Sequence, residues 1–441
     1  MTAAVAFPHG TGDRGGFLMR HIGGFIGILT CACFTLLTLP TPASAAACTG
    51  AKIAVNTNAT QDGQIIRTPS ELSSALRAAK GGETFTLEGG NYGPLKIKKG
   101  FKKPVTIRSA SGRAPACFTE LRLNNAGNLV LDGLVFDYEY TSGDKDAANR
   151  FSILGSRGIT ITNSIFDGGH RSGAGHGRGL RIRDSAKIDI SNSVFRSWWK
   201  ALTGDSIVDL KIRGSEFTDI RSDGLALGVV DGLLIEANRM HNFRGVKGNK
   251  DHRDMIQILR SSNRRSTDIT ISNNIFDMGA GDYAQTIWMG GDGKDLGDPM
   301  LRHQNVLIEN NVIYNAHTHG ISLHAIDNLS IRKNSVIRVH RNEKGKVTIP
   351  RISVSPGSTS VVIEQNAVAG IRGYKNQADW AVLNNAIIQD QSPGQPGYYD
   401  REFIYYATGP ANGYNEYGVR PGSRIDQLDA GSTLVRNYPT R

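Results

Sequence analysis

One short phrase recurs through this 441-residue chain: apolar–x–Ile–x–polar–(Asn/Ser)–x–apolar. Its copies begin at Ile159, Ile188, Leu210, Leu233, Ile269, Val306, Leu329 and Val361. Their second polar position falls at Ser164, Ser193, Ser215, Asn238, Asn274, Asn311, Asn334 and Asn366. The shortest steps between copies are roughly 22–23 residues, and the longer ones are that unit plus an insertion. Apolar alternation over a few residues is the mark of a strand, so the repeat predicts a solenoid of short strands.

A repeat running through most of the chain argues for one elongated domain. The 52 glycines fit frequent turns, and the net charge of +11 suggests an acidic partner: nucleic acid, an anionic membrane surface or an anionic polysaccharide. The N-terminus narrows the choice. Arg20 precedes an apolar run from Ile22 to Leu39, followed by Pro40-Thr41-Pro42-Ala43-Ser44-Ala45. A positive start, an apolar middle and a small-residue cleavage site predict a secretory signal over residues 1–45, with Met19 as an alternative start. Removing it takes away only Asp13, Arg14 and Arg20, so the basic character belongs to the remainder. With no second long apolar run, the mature chain is expected to be exported (periplasmic or extracellular), off the membrane and monomeric. It carries no recognisable nucleic-acid-binding motif. Cys31 and Cys33 leave with the signal; Cys48 and Cys117 remain and suggest one disulfide, with lipidation of Cys48 the alternative.

Thr68-Pro69-Ser70-Glu71 opens a helix over about residues 69–80, with Leu72, Leu76 and Ala79 on its apolar face. A lone helix ahead of a strand solenoid is the expected cap. Each coil also carries a second strand, in which Leu180, Leu202, Leu225, Ile256, Ile287 and Ile321 point inward. Alternation then places Arg181, Thr203, Ala226, Gln257, Trp288 and Ser322 outward in one column. The Asn/Ser positions of the main repeat sit at a bend and are structural. From Gly373 to Arg441 the pattern fades into a Gly-, Pro- and Tyr-rich tail, packed on the solenoid or closing its end.

The helix, Gly89-Gly90-Asn91-Tyr92, the Pro104-Val105-Thr106-Ile107 strand and the Asn-x-Ile/Phe coils resemble right-handed parallel β-helix proteins of the pectate-lyase-like superfamily. The opening is most similar to secreted polysaccharide lyases of the alginate/chondroitin type. The resemblance spans roughly residues 65–372 and implies an all-β, right-handed parallel β-helix over 46–372 with an N-terminal capping helix and an irregular tail. It is specific for fold and weak for reaction, since lyases, hydrolases, epimerases and tailspikes share it.

Stacked coils lie about 4.8 Å apart, so equivalent positions form ladders. Two residues before the inward Leu/Ile runs Arg178, Lys200, Asp223, Asp254, Gln285 and His319, with a one-residue slip conceivable at Lys200. The densest piece is the insertion Asn249-Lys250-Asp251-His252-Arg253-Asp254. Its Asp-His-x-Asp resembles a segment of secreted β-helix epimerases and lyases. Sugar-acid elimination needs a neutralised carboxylate, a base for the C5 proton and an acid at the leaving oxygen. The candidate catalytic residues are His252, Asp254, Asp223, Lys200 and His319. Arg178, Arg181, Gln257, Arg260 and Trp288 are the candidates for substrate contact. Asp223, Asp251 and Asp254 could alternatively hold a Ca²⁺; a zinc site is not supported. Gly175-His176-Gly177 echoes part of the polygalacturonase pattern without its paired Asp motifs. Of Trp198 and Trp199, at least one belongs in the core. The expectation is an enzyme on an anionic, uronate-containing polysaccharide, acting by β-elimination or C5 epimerisation. A glycoside hydrolase using Asp223 and Asp254 and a non-catalytic binding solenoid are the alternatives.

Overall fold

The computed structural model describes residues 63–171, 173–246, 248, 251–261, 263–291, 298–339, 348–405 and 417–436. The signal segment and Cys48 lie outside them, as do Asn249 and Lys250. Three stacks of parallel strands wind around one apolar core. Two stacks join into a 22-stranded sheet and the third has 12 strands.

The repeat phrase sets the register. Ile159, Ile188, Leu210, Leu233, Ile269, Val306, Leu329 and Val361 pair in succession down the first stack. Its closing apolar residues build the third, where Phe166, Phe195 and Phe217 stack with centroids 4.5 and 5.0 Å apart. The two polar positions of the phrase do different work. The first turns the corner with φ near +50°: Asn163, Asn192, Asn273 and Asn310 adopt the left-handed conformation, as do Ala237, Lys333 and Gln365 at greater steric cost. The second points inward and forms a buried ladder. Asn274 N donates to Asn311 Oδ1 at 3.0 Å, Asn311 N to Asn334 Oδ1 at 3.0 Å, and Asn334 N to Asn366 Oδ1 at 2.9 Å. Each amide nitrogen also donates to a strand carbonyl, so the tight corners keep their polar groups satisfied.

In two short coils the second and first strands fuse into single bent strands, Arg178–Ser191 and Lys200–Arg213. Left-handed residues at Asp184, Lys187, Ser206 and Asp209 make the bend without a loop, which keeps the repeat short here.

The helix spans Pro69–Ala78, slightly shorter than expected. Thr68 Oγ1 accepts from Glu71 N at 3.1 Å and Glu71 Oε2 accepts from Arg67 N at 2.7 Å, a reciprocal cap. Beyond Arg372, strands Trp380–Leu383 and Ala386–Ile387 carry two stacks one coil further. Phe403, Ile425, Ala430 and Val435 then pack with Val312, Ile337 and Ala386 in a second apolar cluster on the third stack.

Candidate functional site

The second stack carries the ladder. Arg178 pairs with Lys200 and Asp254 with Gln285, so no slip occurs at Lys200. The outward column is in register as well: Arg181, Thr203, Ala226, Gln257, Trp288 and Ser322 are successive partners.

Lys200 and Asp223 form an ion pair, with the Lys200 side chain part-exposed and Asp223 buried. Asp254 is fully buried. Its backbone N donates to Asp223 Oδ1 at 3.3 Å, and Gln257 Nε2 donates to its Oδ2 at 3.2 Å. Its Oδ1 has no partner among the described residues. Burial, and then the Asp223 charge, push its carboxyl up to about 8, with Lys200 opposing them. Asp254 is therefore a neutral acid at neutral pH, sharing the site with the Lys200–Asp223 pair.

Above this cluster lies a groove of about 350 Å³ lined by Arg178, Arg181, Arg183, Trp199, Lys200 and Asp205, among others. The Trp pair divides its tasks. Trp198 is core, its Nε1 donating to Phe166 O at 2.9 Å, while the ring of Trp199 lies 5.7 Å from the Arg178 guanidinium and 5.1 Å from Lys200 Nζ. Among the described residues neither Arg178 nor Arg181 has a carboxylate partner. Arg178 Nε is buried without a hydrogen bond, and burial together with the Arg181 charge weakens its hold on its proton.

His319 lies further along, outside the Lys200–Asp223–Asp254 cluster. Its Nδ1 is 2.6 Å from Gln285 Oε1, and its backbone N donates to His317 Nδ1 at 3.1 Å. Burial, aided by His324, lowers its pKa. His317 stacks on Tyr283 at 5.7 Å, and burial, then the His319 and Arg253 charges, bring its pKa down to about 4. Trp288 stands outward with its ring 5.8 Å from His324. Arg351 pairs with His319 from the next coil.

Several expectations need correction. His252 is exposed, and its imidazole has no hydrogen-bond partner among the described residues, so no contact ties its ring to the carboxylate cluster. The Ca²⁺ set is also not assembled. Asp251 is held by Arg221 at 2.7 Å and Asp223 by Lys200, and among the described residues no three acidic, His or Cys side chains are grouped to hold a metal. Arg260 lies just beyond the strand Asp254–Leu259, packs against Gly291 and does not line the groove. His176 is buried, with Nδ1 3.0 Å from Asp146 Oδ1.

Sequence reasoning missed Arg221, Ser222 and Arg351. Arg221 bridges Asp146 and Asp251, tying two excursions together. Ser222 Oγ donates to His252 O at 2.7 Å and lies 3.2 Å from Asp223 Oδ1, anchoring the inserted segment beside the ion pair. Arg351 begins a second-stack strand, Arg351–Val354, that the long insertion before it hid. The run Arg221-Ser222-Asp223 on the ladder was the available signal for the first two.

Residues 149–289 match a family model described as "Right handed beta helix region". No curated protein matches the sequence. Among solved structures, the chain is similar to PfbA, a surface adhesin of Streptococcus pneumoniae, at 13% identity and a TM-score of 0.44, covering 80% of this chain and 95% of that one. An alginate lyase from Paenibacillus sp. str. FPU-7 is similar at 15% identity and a TM-score of 0.35, covering 72% and 96%. The A-module of the Azotobacter vinelandii mannuronan C-5 epimerase AlgE4 is similar at 14% identity and 0.36, covering 75% and 94%. The strand order and the matched repeat region together establish the fold: this chain is a right-handed parallel β-helix.

Proposed function

We propose that this is an exported protein acting on an anionic, uronate-containing polysaccharide laid along the second stack, by β-elimination or C5 epimerisation. The observation that carries this reading is the Arg178–Arg181 pair. Two neighbouring cations, one with a buried unpaired N–H, stand in a groove without carboxylate partners among the described residues. Such a pair is costly alone and is stabilised by a bound anion. The aromatic face of Trp199 offers a surface for a sugar ring beside them.

Both reactions begin with loss of the C5 proton, with charge developing on the sugar carboxylate. His319 is the group best suited to take that proton. With Nδ1–H donated to Gln285 Oε1, the lone pair of Nε2 is free, and the lowered pKa keeps the ring neutral. Arg351, one coil away, supplies positive charge for the carboxylate. In elimination the C5–H electron pair forms the C4–C5 double bond as the C4–O bond breaks and the leaving oxygen takes a proton. In epimerisation a proton returns to C5 from the opposite face. Lys200 binds a neighbouring carboxylate, with Asp223 and Asp254 as positioning residues behind it. Hydrolysis by Asp223 and Asp254 is disfavoured, because both carboxyls are buried and Asp223 is paired.

Export by residues 1–45 and a Cys48–Cys117 bridge belong to the same proposal. Cys117 is buried in the strand Ala116–Phe118, and the mass of the unreduced mature protein tests the bridge. The function is tested by incubating wild type and His319→Gln with a panel of uronate polymers. Unsaturated, ultraviolet-absorbing products indicate elimination, and altered sugar composition without cleavage indicates epimerisation. Binding without either change in wild type would support a non-catalytic solenoid instead.

A further inference from the structure

The outward column does not end at Ser322. Ser322 pairs with Ser353 and Ser353 with Arg372, so Arg181 and Arg372 occupy the same column seven coil steps apart. At about 4.8 Å per step their separation is about 34 Å. Between them the column is uncharged: Thr203, Ala226, Gln257, Trp288, Ser322 and Ser353.

Each end carries two arginines, on one strand at the first end and on two adjacent strands at the second. Arg181 stands beside Arg178, whose proton affinity burial and Arg181 reduce; Arg372 stands beside Arg351, whose proton affinity burial and Arg372 reduce. Among the described residues none of the four has a carboxylate partner. The same column contains one further arginine, Arg122, and there the charge is satisfied: its guanidinium donates to Glu120 Oε1 at 2.8 Å and to Asn149 O at 2.7 Å. Unpaired arginine pairs thus stand at the two ends of a neutral, partly exposed strip, while the arginine outside the strip is neutralised.

We infer that the face is a two-clamp site for a long polyanionic saccharide, with Arg178/Arg181 and Arg351/Arg372 gripping anionic groups about seven coils apart over a neutral, aromatic-bearing floor. The inference rests on the reading that the ligand is an anionic glycan, and adds that it must be a polymer. An oligomer reaching one clamp gains one set of contacts. One that spans both gains the second set as an intramolecular event.

The test is equilibrium binding of size-graded oligouronates to the full-length mature protein at fixed salt, with sulfated oligosaccharides of the same lengths as a parallel series. Affinity is expected to step up by about tenfold or more once the oligomer can span both clamps. Arg372→Ala should abolish the step, leaving short oligomers that engage Arg178/Arg181 unaffected. Affinity that changes smoothly with length, or a step that survives Arg372→Ala, would overturn the two-clamp site while leaving the uronate reading intact. A step with the sulfated series and no binding of uronates would uphold the clamps and overturn uronate as substrate. A circular dichroism spectrum identical to wild type confirms that Arg372→Ala, an exposed change, is folded.

Discussion

Asp254 sits in an environment far from that of solution, and the consequences are measurable. With its carboxyl raised to about 8, the folded chain holds a proton that the unfolded chain releases near the ordinary carboxylate range. The share of stability that Asp254 contributes should therefore be lost as pH rises from about 4 to about 8, and stay lost above that. Asp254→Asn, which keeps the hydrogen-bonding shape without the ionisation, should lose less stability over that window in thermal melts at stepped pH. The opposite limb belongs to buried imidazoles. His303 and His317 are each brought down to about 4, mainly by burial. Between about 6.5 and about 4 the unfolded chain takes up protons that the folded chain refuses, so the two histidines, outnumbering Asp254 in that window, should make stability fall as pH drops through it. His317→Phe keeps a ring on Tyr283 and should flatten part of this acid limb. For activity, His319 must be neutral, so turnover should rise with pH through an apparent pKa below the ordinary histidine value. His319→Gln should remove turnover and leave polymer binding in place; loss of binding as well would assign His319 a structural role.

At the level of strands and corners, two positions test how the repeat stabilises the solenoid. Asn311 accepts from both the backbone N and the side-chain amide of Asn274 and donates to Ile271 O. Asn311→Ala would strand buried donors and should cost about 3 kcal/mol in denaturant unfolding. Ala237 sits at the left-handed corner that most other coils give to Asn or Gly. Ala237→Gly should be neutral to stabilising, by about 1 kcal/mol. These corners were legible because the phrase repeats: the strand alternation, the inward Leu/Ile and the Asn/Ser ladder share one period. The Arg178–Lys200–Asp223–Asp254 order followed once that period was in hand. His252 did not, because its placement depends on an inserted segment whose anchors are aperiodic. Arg221 reaches Asp146, 75 residues earlier, and Ser222 holds the His252 carbonyl. Nothing in a strand period predicts an ion pair between two insertions. Arg351 was hidden for a related reason, standing behind a long insertion that interrupts the count of coils.

Across the whole molecule, the solenoid turns scattered side chains into a surface with a direction. Its first and third stacks are occupied with structure, in the buried Asn ladder and in the aromatic stack with the C-terminal segment packed against it. The second stack presents arginines, a tryptophan and a neutral imidazole in register. No helix among the described residues is long and apolar enough to cross a membrane. Part of the chain's basic charge thus gains a location, in Arg178, Arg181, Arg351 and Arg372, which have no carboxylate partner among the described residues. The most direct test is the initial rate on a panel of uronate polymers, for wild type beside the Arg178→Ala/Arg181→Ala double variant at low substrate. At least one polymer should be depolymerised or epimerised by wild type, with the double variant slower by about tenfold or more, as expected for losing charge-assisted contacts. A wild type that alters no uronate polymer, or a double variant as fast as wild type, would contradict the account.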